Sequence, residues 1–266
     1  MWEALEADSA QNSVLRLNPD GRLLTLSAMR NPIIVALDLP DPDKALALAR
    51  AVGPHVGAVK VGKELFVSAG PEIVRTLRAE GVGVFLDLKF HDIPNTVAKA
   101  VVAATRLDVQ MLTLHAGGGR EMMAAAEKAA QETAASLGRP APLVLAVTVL
   151  TSFNEAGLAE TGVSGGIENH VERLALLATG SGIRGLVCSP LELPRLRGIL
   201  PSHVQLVTPG IRTGAEKADD QKRTLSPAEA MATGASWLVV GRPIYAAADP
   251  VAAARSIAAM AGWNPA

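Results

Sequence analysis

Eight short runs of β-forming residues recur along the chain, and a helix-compatible stretch separates each from the next. The runs are IIVALD (33–38), GAVKVG (57–62), VGVFLDLK (82–89) and VQMLTLH (109–115), then LVLAVTVL (143–150), GLVCS (185–189), VQLVTPG (204–210) and SWLVVG (236–241). They are apolar along most of their length rather than at every second position, as strands covered on both faces must be. The segments between them carry helix starts. Asp41-Pro42 supplies an N-cap and a first-turn proline before KALALARAV, and Gly70-Pro71 opens EIVRTLRAE, which Gly81 stops. Ser226-Pro227 opens AEAMATG, and Asp249-Pro250 opens VAAARSIAAM.

Strands that alternate with helices build parallel α/β architectures. Eight units fit a closed (β/α)8 TIM barrel, with a doubly wound open sheet as the competing arrangement. No linker-like shift in composition interrupts 31–262, so residues 31–266 are expected to form a single barrel domain. Residues 1–30 match none of the units and are expected to be a mobile N-terminal extension.

Aromatic residues are only 3% of the chain, so Ala, Val, Leu and Ile must build the core. A net charge of -1 and the lack of a basic run give no general pull toward nucleic acid. The one cysteine, Cys188, rules out an intrachain disulfide or a cysteine metal cluster and fits a reducing compartment. No apolar stretch approaches the roughly 18 residues that cross a bilayer. The N-terminus is polar and acidic, unlike a signal peptide, so a cytoplasmic protein is expected.

Ligands of parallel barrels and sheets bind at the C-terminal ends of the strands. Ionisable residues gather at those ends: Asp38 ends the first run, Lys60 lies near the end of the second, Asp87 and Lys89 end the third with Asp92 just beyond, and His115 ends the fourth. The fifth run leads into Thr151 and Ser152. Asp87 and Lys89 are two apart and so share a face. Lys60, on the neighbouring strand, can reach the same space. Opposite charges packed in this way keep lysine protonated and aspartate ionised while partly desolvated. The triplet suits catalysis, and it equally suits a salt-bridge network that closes the barrel mouth.

A second constellation joins the loop GIRTGAEKADDQKRTLSP (210–227) to VGRPI (240–244). Loops after strands seven and eight are frequent phosphate sites in barrels, and Arg212 and Arg242 could each grip a phosphate through a planar fork. Two such loops in the expected places favour a phosphate ligand over an ordinary solvated loop. His115, on an apolar run, reads as a buried, hydrogen-bonded core histidine, His91 as a loop-orienting residue and Cys188 as a small core hydrophobe. The five histidines show no metal-binding spacing, and no Walker loop is present.

The stretch LDLKFHDIPNTV (86–97) resembles the signature of the orotidine 5′-phosphate decarboxylase family, built on Asp-x-Lys-x-x-Asp. ALD (36–38), VKVG (59–62), HAGGG (115–119), VTVLTS (147–152), VCSP (187–190), VTPGIR (207–212), DDQKR (219–223) and VGRPI (240–244) follow the family's order. The short Asp-x-Lys-x-x-Asp pattern is shared with sugar-phosphate relatives that use Mg²⁺; IPNT and DDQKR point to the orotidylate enzyme. The resemblance implies a cofactor-free, metal-free decarboxylase. Asp38 and Lys60 would hold the ribose hydroxyls, Asp87 would lie beside the substrate carboxylate, and Lys89 would protonate C6. Thr151 would bind the pyrimidine. Arg212, Gln221, Gly241 and Arg242 would bind the 5′-phosphate, with Gln221 on a closing loop. Asp92 and Thr96 would serve the partner's site in a homodimer.

Overall fold

The computed structural model describes residues 13–17, 23–27, 31–212 and 224–264. All eight apolar runs are parallel strands: β1 (Ile33–Ala36), β2 (Ala58–Gly62), β3 (Val84–Phe90), β4 (Met111–His115), β5 (Leu143–Val147), β6 (Gly185–Val187), β7 (Gln205–Thr208) and β8 (Trp237–Val240). Each pairs with the next, and β8 pairs back onto β1 with Val239 opposite Ile34, which closes the barrel. The fold is therefore a (β/α)8 barrel, and closure excludes the open doubly wound sheet. Within the N-terminal extension, Ser13–Leu17 and Leu23–Ser27 pair antiparallel. The alternating pattern gives no hint of this two-stranded element.

The helix starts follow the local chemistry. The Asp41 side chain accepts from the Asp43 and Lys44 amides ahead of helix Pro42–Val52, and Asp249 accepts from Ala252 ahead of Pro250–Met260. Ser226 and Glu229 form a reciprocal capping box at Pro227–Ala232. Such caps contribute about 1 kcal/mol each. The helix expected after Pro71 runs over Glu72–Ala79, but a further short helix, Lys63–Ala69, precedes it. Gly70 separates the two at φ +66°, a left-handed conformation that glycine adopts freely. Among the described residues, no helix is long and apolar enough to cross a membrane.

Side-chain alternation divides the core in two. Ile33, Val35, Val59, Val61, Leu86, Leu112 and Leu114 face outward into the layer between sheet and helices. Ile34, Ala58, Phe85, Met111, Leu145, Val207 and Trp237 fill the barrel interior. Both faces of every strand are thus covered, which explains the unbroken apolar runs. Two residues further along, the same inward parity reaches Ala36, Lys60, Asp87 and Thr113, so a largely polar layer stands on an apolar floor.

The opposite end of the barrel is tightly closed. Buried Asn31 donates to the His55 carbonyl at 2.7 Å and accepts from the Ile33 amide at 3.0 Å. Gly57 donates to Ile33 O at 2.9 Å, and a methyl on Gly57 would run into the Asn31 carbonyl oxygen and come within 2.7 Å of the Trp237 ring. Backbone on one side and a core indole on the other leave no cheap relaxation. Gly57→Ala is expected to lower stability by about 1–3 kcal/mol, read as a lower urea midpoint with an unchanged slope.

Candidate active site

An alternating chain of charges crosses three adjacent strands at the C-terminal mouth. Lys60 Nζ lies 2.8 Å from Asp38 Oδ1 and 3.9 Å from Asp87 Oδ2. Lys89 Nζ donates to both Asp87 oxygens at 2.8 Å. The ladder prepares this chain: Ala36 stands opposite Lys60, and Gly62 stands opposite Asp87. Gly62 also makes room, because a methyl there would sit 3.1 Å from Lys60 Nζ and 3.4 Å from Asp38 Oδ1.

The Asp87–Lys89 pair does not come from plain strand alternation. Leu86 pairs with Leu112 and Phe90 with Leu114, so Asp87, Leu88 and Lys89 stand opposite Thr113 alone. The bulge places Lys89 at φ +54°, a left-handed conformation that costs a non-glycine residue about 1–3 kcal/mol. Leu88 packs toward the outer core. Buried Thr113 bridges the irregularity: its Oγ1 accepts from the Lys89 amide and donates to Asp87 Oδ1, both at 2.9 Å.

Asp87 is largely buried, and burial alone would push its carboxyl up. Lys89 and then Lys60 outweigh burial, helped by the hydrogen bonds from Lys89 and Thr113, and hold the carboxyl below its ordinary range. Half-buried His115 packs beside His91 with ring centroids 5.4 Å apart, instead of being the buried, hydrogen-bonded core histidine its apolar strand predicts. Burial, followed by the electrostatic influence of His91, Lys89 and Lys63, pushes the His115 imidazole down. Cys188 is buried as expected, and desolvation pushes its thiol up, which leaves it inert.

A cavity of about 520 Å³ opens over this layer. Asp38, Lys60, Asp87, Lys89, Thr151, Arg212, Gly241 and Arg242 all line it, which brings eight of the expected site residues to one space. Thr151 arrives there because the apolar run 143–150 leaves the ladder at Val147 and turns inward as a loop. Asp92 and Thr96 lie outside this cavity and are exposed, and Asp92 Oδ1 accepts from the next amide, Ile93 N, at 2.6 Å. Gln221 lies outside the described residues. Among the described residues, no cluster of His, Cys, Asp or Glu could hold a metal ion.

Thr113, Gly62 and Tyr245, which also lines the cavity, have no place in the expected site. The one available signal for Thr113 is its parity: a hydroxyl in an apolar run, two residues before His115 and hence on the same face.

Fold and cleft together define a (β/α)8 barrel with a charged cleft at its C-terminal mouth, the end at which barrel enzymes place their reacting groups. The family model described as Orotidine 5′-phosphate decarboxylase / HUMPS family matches residues 31–257, and the chain belongs to that family. It is 53% identical over 227 residues to the orotidine 5′-phosphate decarboxylase of Opitutus terrae, covering 85% of this chain and 96% of that protein. It is 50% identical over 237 residues to the enzyme of that name from Pseudomonas aeruginosa, covering 89% of this chain and all of the relative. The crystal structure of orotidine 5′-phosphate decarboxylase from Lactobacillus acidophilus superposes with a TM-score of 0.79 at 37% identity, over 87% of this chain and 99% of that one.

The lowered Asp87 carboxyl ties stability to pH. Because its folded-state pKa lies below the unfolded value, the unfolded chain takes up the proton first as pH falls. The Asp87 contribution is therefore complete above the ordinary carboxylate range near pH ~4 and is lost as pH drops through the folded-state value. Urea titrations at neutral and acid pH should show a steeper acid loss for the native chain than for Asp87→Asn. Equal losses would remove Asp87 as the source.

Proposed function

We propose that the protein decarboxylates orotidine 5′-phosphate to UMP in pyrimidine biosynthesis, without a cofactor, as a homodimer. Relatives named orotidine 5′-phosphate decarboxylase, 50% and 53% identical over most of the chain, make it a carboxy-lyase, and the Asp38–Lys60–Asp87–Lys89 chain at the barrel mouth is the observation that carries the mechanism. Breaking the bond from C6 to the carboxylate leaves an electron pair on C6 that the ring delocalises little. In this reading no cofactor acts as an electron sink, so fixed positive charge must meet the developing anion. The Lys89 ammonium, gripped by both Asp87 oxygens, is preorganised for that task. It also supplies the proton that C6 takes as carbon dioxide leaves, and the neutral amine regains one from solvent.

The remaining lining residues divide the substrate between them. Asp38 and Lys60 hold the ribose hydroxyls, Asp87 stands beside the substrate carboxylate, and Thr151 meets the pyrimidine. Arg212, Gly241 and Arg242 take the 5′-phosphate with Gln221, the arginines through charge-assisted forks. Binding energy from this remote phosphate can be used to lower the barrier at C6. Asp92 and Thr96 complete the partner's site. Their exposed positions outside the lining of this chain's own cavity, and the exposed Ile93 between them, support that assignment. A cytoplasmic location belongs to the same reading and accords with the lone, unpaired Cys188.

Mixing purified protein with orotidylate should change its ultraviolet absorbance as the ring loses its carboxylate. An unchanged spectrum across pH and enzyme concentration would sink the proposal. Turnover of a sugar phosphate that EDTA abolishes, with none of orotidylate, would select the sugar-phosphate branch instead. Lys89→Ala should lower kcat by about 10²–10⁴-fold or more with an unchanged circular dichroism spectrum; a small loss would reassign the proton donor. Mixing the inactive Asp92→Asn and Lys89→Ala chains should restore part of the activity, since one site of the mixed dimer regains both native residues. No recovery after demonstrated subunit exchange rejects the shared site.

A further inference from the structure

We propose that Thr113 is the positioning residue of the Asp87–Lys89 pair: one buried hydroxyl fixes both the strained backbone of the lysine and the direction of the aspartate. The inference deepens the proposed decarboxylase reading and rests on it for its kinetic part. In a regular ladder the Lys89 amide would meet a strand carbonyl. The bulge opposite Thr113 interrupts that pattern, and a buried amide left unpaired is costly. The Thr113 hydroxyl takes the carbonyl's place, accepting from Lys89 N at 2.9 Å.

A hydroxyl has one proton to give. That of Thr113 goes to Asp87 Oδ1 at 2.9 Å, which leaves its lone pairs for the Lys89 amide. The two bonds therefore demand one rotamer and support each other. Asp87 is then restrained from every side, with Oδ1 meeting Thr113 and Lys89 Nζ, and Oδ2 meeting Lys89 Nζ at 2.8 Å and Lys60 Nζ at 3.9 Å. Thr113 itself cannot drift. It is fully buried, and the β4–β5 ladder holds it opposite Leu145. The ammonium that would meet C6 thus takes its position from a side chain that does not line the cleft.

Thr113→Val keeps the shape and removes the hydroxyl, and Thr113→Ser keeps the hydroxyl and removes the methyl. The valine variant should lose about 10–100-fold in kcat with little change in KM, the size of a lost hydrogen bond to a charged group acting after substrate is bound. Its acid limb in the pH profile should move to higher pH, because Asp87 loses a donor that favours its ionised form. The Lys89 amide should exchange with solvent faster while other β3 amides keep their protection. Serine should restore all three readouts toward native.

A valine variant with native kcat, an unmoved acid limb and a protected Lys89 amide overturns the proposal. So does a serine variant as impaired as valine, since packing of the methyl would then be what matters. If the valine chain does not fold, Thr113→Cys repeats the test with a weak donor in place of the hydroxyl, and native kcat there overturns the proposal. Native protein that does not turn over orotidylate defeats the decarboxylase reading alone; exchange of the Lys89 amide still decides whether Thr113 holds the pair.

Discussion

A carboxylate held between two ammonium groups is the interaction around which the upper half of the barrel is organised. Asp87 is largely buried, and a buried carboxylate without partners would take up a proton. Lys60 from one side and Lys89 from the other keep it ionised, and it in turn allows two lysines to stand close together. Removing any member leaves an uncompensated charge in a poorly solvated space, which costs more than an intact pair contributes. The residues that support the chain are Gly62, which leaves room beside the Lys60 ammonium, and Thr113 beside the bulge.

Most of the architecture could be read from the chain because parallel strands covered on both faces need unbroken apolar runs. All eight runs became barrel strands, and the Asp-Pro and Ser-Pro helix starts became caps. Runs could not reveal where each strand stops pairing. TVL (148–150) looks like the tail of a strand, yet the ladder ends at Val147 and the chain beyond it lines the cleft. The helix Lys63–Ala69 was hidden because seven residues are too few for a periodic signal. The chemical layer was legible in its charges, since Asp38, Lys60, Asp87 and Lys89 crowd one end of successive strands. It was not legible in its backbone, because a bulge is a relation between two strands and neither strand alone encodes it.

Lys89 illustrates the difference. Counting by two along a strand places Asp87 and Lys89 on one face, and they do meet, but through a left-handed lysine. A regular pleat would set side chains two apart roughly parallel, about 7 Å from one another along the strand. The bulge folds that spacing until the ammonium straddles both carboxylate oxygens at 2.8 Å. Local backbone strain is thus converted into a bidentate contact, as happens where surrounding structure over-determines an unfavourable conformation.

That over-determination comes from below. The barrel interior has two storeys: an apolar floor of Ile34, Phe85, Met111, Leu145, Val207 and Trp237, and above it the charged layer. The floor packs densely and does not reorganise when charge appears overhead. Electrostatic stabilisation is most effective when dipoles and charges are already aimed before the reaction begins, since none of the gain is then lost to turning them. Flexible surface lysines would have to be ordered by the substrate, at the expense of binding energy. Here the closed ladder, the bulge and the Thr113 hydroxyl order the charges beforehand, so in the proposed reading binding energy from the phosphate need not be used for that ordering. Barrel closure is what brings the charges of β1 to β3 and the arginines that follow β7 and β8 to one mouth.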